Sequence, residues 1–222
     1  MIITIDGPAA SGKSTIARAL ADHYGYYYLN SGLLFRGLAY VLLESGLYIK
    51  NTLGKPTAAD VDKYLDPELF CYTYTRQDGP CVTFKGQVIT PYLKTELIDQ
   101  GASLVSTNWY VRVKLYDLQH ALTQNHSLVT DGRDTGTVVF PNADYKFFIT
   151  AAVSVRAKRW QADQAKKGAI FSYEQAVKEI EQRDARDSER DQAPLMIPKD
   201  AHIIDTSNLT VAQVLEVMHT IL

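Results

Sequence analysis

The chain opens on an apolar run of strand length, Ile2 to Asp6. From Ser14 to Tyr24, Ile16, Ala17, Leu20 and Ala21 then recur at the spacing that brings side chains to one face of a helix. Gly25 stands where a helix C-cap takes a left-handed residue. Tyr26 to Leu29 reads as a second strand, and Ser31 and Gly32 lead into a helix that runs through Val41 to Leu43. Strand, helix, strand, helix in this order predicts a parallel sheet.

The period changes between about Gly46 and Tyr92. A short helical piece, Ala58 to Tyr64, gives way to a strand from Phe70 to Thr75. A turn at Asp78-Gly79-Pro80, a strand from Cys81 to Phe84, a turn at Lys85-Gly86 and a third strand from Gln87 to Ile89 follow. Tight turns build antiparallel pairs, so this stretch predicts a small inserted sheet. Helical sequence runs from Leu93 to Gln124, after which Leu128 to Asp131, Tyr145 to Thr150 and His202 to Asp205 return to the strand pattern. Ala157 to Arg190 is helical and heavily charged, broken at Gly168, with Pro194 and Pro198 marking its end. Thr210 and Gln213 form a capping box for a terminal helix with Val211, Val214, Leu215 and Met218 on one face. The expected architecture is α/β: a five-stranded parallel sheet flanked by helices. Its core is split at about 1–35 and 126–222 around an insert at about 36–125.

Composition changes this picture little. With 222 residues, 46% hydrophobic and 22% charged, the chain is expected to be a soluble globule with one large core, with neither disorder nor a membrane span. A net charge of -2 argues against a large nucleic-acid-binding surface, so any basic site is local. Met1-Ile2-Ile3-Thr4 carries no basic leader or cleavage site, and a cytoplasmic address is expected. Cys71 and Cys81 lack metal-ligand spacing and read as reduced thiols, a disulfide across the hairpin being the other reading.

Gly7-Pro8-Ala9-Ala10-Ser11-Gly12-Lys13-Ser14 fits the phosphate-loop pattern and lies between a strand and a helix, the context that pattern requires. Glycines let backbone N–H groups point inward at phosphate oxygens, and the following helix presents its positive end, with Thr15 in its first turn. Lys13 reaches the β- and γ-phosphates, and Ser14 can ligate Mg²⁺. No guanine-selecting Asn-Lys-x-Asp element occurs, which favours ATP as donor. The loop alone indicates a nucleoside triphosphate and not what is done with it.

Asp131-Gly132-Arg133-Asp134-Thr135-Gly136-Thr137-Val138-Val139-Phe140-Pro141 concentrates acids, an arginine and glycines at the carboxyl end of a strand, where open parallel sheets bind ligands. Arg183, Arg186 and Arg190 recur at helical spacing with Asp184, Asp187 and Asp191, a pattern that also suits a solvated face of intrahelical ion pairs. Together with Leu29-Asn30-Ser31-Gly32, Phe35-Arg36 and Ala193-Pro194-Leu195, these stretches closely resemble bacterial cytidylate kinases, in order and spacing and over essentially the whole chain.

That resemblance implies the P-loop NTPase fold with an enlarged nucleotide-binding insert and a helical lid at about 153–190. It implies transfer of a phosphoryl group from ATP to CMP or dCMP with Mg²⁺, by a monomer without nucleic-acid or membrane partners. By the same resemblance Arg36, Arg133 and Arg190 hold the acceptor phosphate, whose two negative charges suit planar guanidinium forks. Ser31 helps at the sugar or phosphate end, and Asp187 and Arg183 contact the ribose. Ser103, Arg112 and Asp134 read cytosine: Arg112 donates to O2 and N3, and Asp134 accepts from the N4 amino group. Arg156, Arg159 and Arg186 belong to the lid, Lys13 and Arg133 neutralise the migrating phosphoryl group, and Asp131 joins Ser14 at the metal.

Several positions depart from the usual family pattern. Asn30 stands for an Asp, Phe35 for a Tyr, Tyr110 for a frequent Arg, Lys94 for an Arg, and Trp160 for the second Arg of a pair. The competing readings are a kinase of the same fold acting on AMP, UMP or shikimate, and a nucleotide-gated regulatory protein without turnover.

Overall fold

A computed structural model describes residues 1–222. The elements are β1 (Ile2–Asp6), α1 (Lys13–Tyr24), β2 (Tyr27–Asn30), α2 (Ser31–Glu44), α3 (Ala58–Tyr64), β3 (Phe70–Thr75), β4 (Gly79–Phe84) and β5 (Gln87–Val88). They continue as α4 (Glu96–Val105), α5 (Trp109–Thr123), β6 (Leu128–Gly132), β7 (Tyr145–Thr150), α6 (Val153–Lys166), α7 (Tyr173–Glu189), β8 (His202–Asp205) and α8 (Val211–His219). The larger sheet has five strands in the order β2-β6-β1-β7-β8, and the smaller one three in the order β3-β4-β5. β1 pairs in parallel with β6 and β7, and β7 with β8. The expected α/β class, with a five-stranded parallel sheet and a small antiparallel one, is what the chain forms. No helix is long and apolar enough to cross a membrane.

The chain divides into two compact units, Met1–Tyr26 with Ser127–Leu222, and Tyr27–His126. In the first, β1 is the central strand. Ile3 and Ile5 are fully buried, as are Leu128 and Val129 of β6 and Phe147 and Ile149 of β7. Strands covered on both faces carry apolar runs rather than alternation, which is the pattern the sequence shows. The P-loop and the Asp131 to Asp134 loop leave the carboxyl ends of β1 and β6, neighbouring strands paired Asp6 to Gly132.

In the second unit, α2 lies on the antiparallel sheet. Gly37 permits the close approach: a Cβ there would come within 2.7 Å of Phe70 Cζ and 3.1 Å of Val82 Cγ1. Cys71 and Cys81 are both free thiols. They face Thr83 and Thr73 across the β3–β4 ladder rather than each other, so the reduced reading holds and the disulfide does not.

The structure corrects some boundaries. Gly79 and Pro80 belong to β4 rather than to the turn, with Pro80 opposite Tyr74. Pro80 is tolerated because β5 pairs only with Thr83 and Phe84, so nothing on that side needs its missing N–H. The helical stretch from 93 to 124 is not continuous: a 3-10 turn at Thr90–Lys94 precedes α4, and Asn108 starts α5 by accepting a hydrogen bond from Val111 N at 3.2 Å. On α8, Val214 and Met218 are buried but Val211 is exposed, so the apolar face is narrower than the pattern suggests.

Substituting Gly37→Ala tests the α2 contact. The overpacking cost of about 1–3 kcal/mol exceeds the helix-propensity gain of about 1 kcal/mol, so the urea midpoint should fall. An unchanged or raised midpoint would contradict the packing described.

Candidate active site

The phosphate loop is shaped by its backbone. Gly7 passes so close to β7 that a Cβ would lie 2.0 Å from Ile149 O. Ala10 (φ 56) and Gly12 (φ 95) adopt left-handed conformations that curl the chain, turning N–H groups toward the concave side. Ala9 is buried with Ala157, Ala176 and Ile180, and Ala10 packs beside them, which gives the two small residues at these positions a packing role.

The loop's carbonyl groups find donors on the outside. Lys13 Nζ donates to Pro8 O at 3.0 Å, Arg156 Nη1 to Ala9 O at 3.2 Å, and Arg159 Nη1 to Ser11 O at 3.2 Å. The Thr206 hydroxyl also donates to Ser11 O at 3.0 Å, while Arg159 Nη2 donates to Thr206 O at 2.8 Å. Arg156 further pairs with Asp184 at 2.6 Å. Arg156 and Arg159 are thus bonded to the P-loop backbone; Arg186, by contrast, is exposed on α7. Burial draws the Lys13 ammonium well below its ordinary value; Arg133 and Arg183 push the same way, against Asp131 and Asp187. An anionic phosphate beside it favours its charged form.

Ser14 and Asp131 meet directly, the hydroxyl donating to the carboxylate Oδ2 at 2.6 Å. One comes from the first turn of α1 and the other from β6, so parallel pairing of β1 and β6 creates the contact. Two hard oxygen donors at a phosphate loop fit a Mg²⁺ ion that keeps most of its waters. No cluster of three or more acidic, His or Cys side chains suited to a metal occurs.

Beside the P-loop unit's β6, Arg133, Asp134, Asp187 and Arg190 form a connected ionic group. Arg133 Nε donates to Asp187 Oδ2 at 2.7 Å, and Arg190 Nη2 lies 3.6 Å from Asp134 Oδ1. The charged face of α7 is therefore no solvated ladder, because Asp184 and Asp187 bond residues outside their own helix. Burial raises the Asp187 carboxyl, but Arg133, Arg183 and Arg190 outweigh it and leave its pKa below the ordinary value.

The second unit holds Ser31, Arg36, Ser103 and Arg112. Ser31 is buried at the start of α2, where Asn30 caps by accepting from Leu33 N at 3.0 Å and donates to Tyr28 Oη at 2.9 Å. The amide does both tasks, which accounts for Asn at this position. Arg36 Nε donates to Asp99 Oδ1 at 2.6 Å. Arg112, only 1% exposed, donates to Tyr116 Oη and to Ser106 O, both at 2.8 Å, with its guanidinium over the Phe35 ring. Ser103 lies half-buried on α4. Tyr110 bonds Asp62, which also pairs with Lys114, and Trp160 packs on Phe171, so both departures have local structural partners.

Sequence reading missed Asp6, Asp99, Thr206 and Asp184. Asp6 left a trace as an acid ending an apolar strand, and Asp184 as a member of the charged helical pattern at 183–190. It is fully buried and accepts from Thr135 N, Thr135 Oγ1 and Gly136 N at 2.9, 2.8 and 2.7 Å. Burial pushes its carboxyl up to about 6, the Asp134 charge adds to this, and the three hydrogen bonds work against it.

Comparison with known proteins follows the same lines. Residues 3–222 match the protein-family model described as cytidylate kinase. A cytidylate kinase from Chlamydia pneumoniae is 41% identical over 217 residues, covering 97% of this chain and 95% of its own. One from Bacillus subtilis is 37% identical over 212 residues, covering 96% and 92%. Among solved structures, an uncharacterized protein from Eubacterium ventriosum shares the fold with a TM-score of 0.52 at 13% identity, over 100% of this chain and 97% of that one.

The Arg133–Asp187 pair makes stability depend on pH. Because the folded-state pKa of Asp187 is depressed, its contribution is complete above the ordinary value of 3.8 and is lost as pH falls through the lower value. Asp187→Asn should cost about 3–5 kcal/mol at neutral pH, measured by urea unfolding, with the gap to wild type narrowing as pH drops below 3.8. A gap constant with pH would contradict this assignment.

Proposed function

The chain belongs to the cytidylate kinase family, and on that premise we propose how its residues divide the transfer of the γ-phosphoryl group of ATP to CMP or dCMP. The products are ADP and CDP or dCDP. The observation that carries the division is the P-loop with its Ser14–Asp131 pair beside an arginine, Arg133, tied to Asp187.

Residues Gly7 to Thr15 hold the triphosphate, with Lys13 at the β- and γ-oxygens. Ser14, and Asp131 through a bound water, would hold Mg²⁺, which neutralises charge on the phosphates when bound. Arg133 is close enough to Lys13 for its charge to lower the Lys13 pKa, and is assigned to the phosphoryl group in flight. Phosphoryl transfer needs little covalent chemistry from a protein, so orientation and charge are the whole task.

For the acceptor, Arg36, Arg133 and Arg190 are assigned to the α-phosphate, Ser31 to the sugar or phosphate end, and Arg183 and Asp187 to the ribose. Ser103, Arg112 and Asp134 are assigned to cytosine. The chemistry supports the choice: a guanidinium donates to O2 and N3 and a carboxylate accepts from N4, whereas uracil reverses the polarity at positions 3 and 4. Burial of Arg112 and Asp134 makes a wrong base expensive, since it strands polar groups away from water. For Arg156 and Arg159 to act as lid residues, they would exchange P-loop carbonyls for phosphate oxygens; Arg186 is exposed and needs no such exchange. The protein is assigned as a monomer in the cytoplasm.

With ATP and Mg²⁺, a panel of acceptors should give CMP and dCMP at least about a hundredfold advantage in kcat/KM over UMP, AMP and shikimate. Equal or better turnover of another acceptor would overturn the base assignment. ADP formation no faster with CMP than without it would favour the non-catalytic reading. Arg112→Ala should raise the KM for CMP at least about tenfold with the Kd for ATP unchanged, and an unaltered KM would remove Arg112 from the base site.

A further inference from the structure

Asp6 is a costly residue to keep. A carboxylate with no exposed surface loses its hydration, and here all the compensation comes from two adjacent residues, Thr135 and Gly136. Those residues start the π-helical turn Thr135–Val139, whose capping position is Asp134. Aspartate at such a position ordinarily caps its own turn, its side-chain oxygen accepting from the backbone N–H two or three residues ahead. Asp134 makes no such bond. The first N–H groups of the turn are already held by Asp6, which reaches across from β1.

The effect on Asp134 is specific. With the Gly136 N–H taken, the nearer of the two usual capping donors is closed to its carboxylate, and the nearby negative charge of Asp6 disfavours a return. Its Oδ1 instead lies 3.6 Å from Arg190 Nη2. The loop has no slack to rearrange, because a Cβ on Gly136 would meet Thr4 Oγ1 at 2.7 Å, Pro198 Cγ at 3.0 Å and Asp6 Oδ2 at 3.2 Å. Asp6 is also the residue immediately before Gly7, so one side chain anchors the acceptor-side loop to the strand from which the donor loop springs.

We propose that Asp6 is a positioning residue for base selection: by capping the Thr135 turn in place of Asp134, it keeps the Asp134 carboxylate directed at the acceptor base. The inference rests on the assignment of Asp134 to cytosine made above. Asp6 touches neither substrate and acts only through Asp134 and the backbone that carries it.

A double-mutant cycle separates this role from simple scaffolding. Asp6→Asn puts an amide donor against the Thr135 and Gly136 donors, leaving them poorly satisfied and opening them to Asp134. In the full-length protein it should raise the KM for CMP about tenfold or more, reduce the CMP to UMP preference in kcat/KM by a similar factor, and leave the Kd for ATP within about threefold. In an Asp134→Asn background the same substitution should change the KM for CMP less than about twofold. Thr135→Val removes one donor to Asp6 without touching the carboxylate and serves in the same cycle if Asp6→Asn does not fold, with an expected shift of about threefold. An equal effect in both backgrounds, or parallel losses for ATP and CMP, would overturn the inference while leaving the kinase assignment intact. A wild-type protein that does not phosphorylate CMP would remove both.

Discussion

A loop that turns its N–H groups inward to receive phosphates must turn its carbonyls outward, and away from water those carbonyls need donors of their own. Much of the first unit is arranged around that constraint. Lys13 folds back to Pro8 O, Arg156 reaches Ala9 O, and Arg159 and Thr206 share Ser11 O. These donors come from the loop itself, from α6 and from the end of β8, so the loop's conformation is fixed by elements far apart in sequence. The glycines meet the other half of the constraint, since the contact of Gly7 with Ile149 O leaves no room for a side chain.

Supplying cations to a buried loop creates a second problem, because unopposed guanidiniums repel one another and cost hydration. The acids of the unit answer it: Asp184 pairs with Arg156, Asp187 with Arg133, Asp134 with Arg190, and Asp131 accepts from Ser14. Each of the three ion pairs holds a cation in place at modest net stability, since the Coulombic gain largely offsets desolvation. The depressed pKa of Asp187 and the lowered pKa of Lys13 are two sides of this balance. Such a site is poised for polyanions, whose oxygens can replace carbonyls and carboxylates as partners for cations already in position.

The backbone was legible where one rule governed. Buried strands with apolar runs, the Gly25 C-cap, the Lys85-Gly86 turn and the Thr210 capping box all fall where local chemistry puts them. The phosphate loop stood out because its spacing is a motif, whereas the residues assigned to the acceptor were drawn from the family resemblance. What the sequence concealed depends on contacts between distant residues. Nothing near Arg36 announces Asp99, 63 positions away, nor does Ser11 announce Thr206, 195 positions away. The break between α4 and α5 was hidden because Asn108 sits in a stretch whose flanks are both helical. The ion pairs of α7 were misleading on paper, since i,i+3 and i,i+4 spacing suits a solvated face, and only the fold brings β6 and α6 within reach of its carboxylates.

The kinase passes the donor phosphate held at the P-loop to a cytidine nucleotide rather than to water. ATP labelled in its γ-phosphate, incubated with unlabelled CMP and Mg²⁺ and separated by product, measures this directly. Label should accumulate in the terminal phosphate of CDP, with no inorganic phosphate above the level seen without acceptor. Label appearing as inorganic phosphate at the same rate with and without CMP, or remaining in ATP, would contradict it.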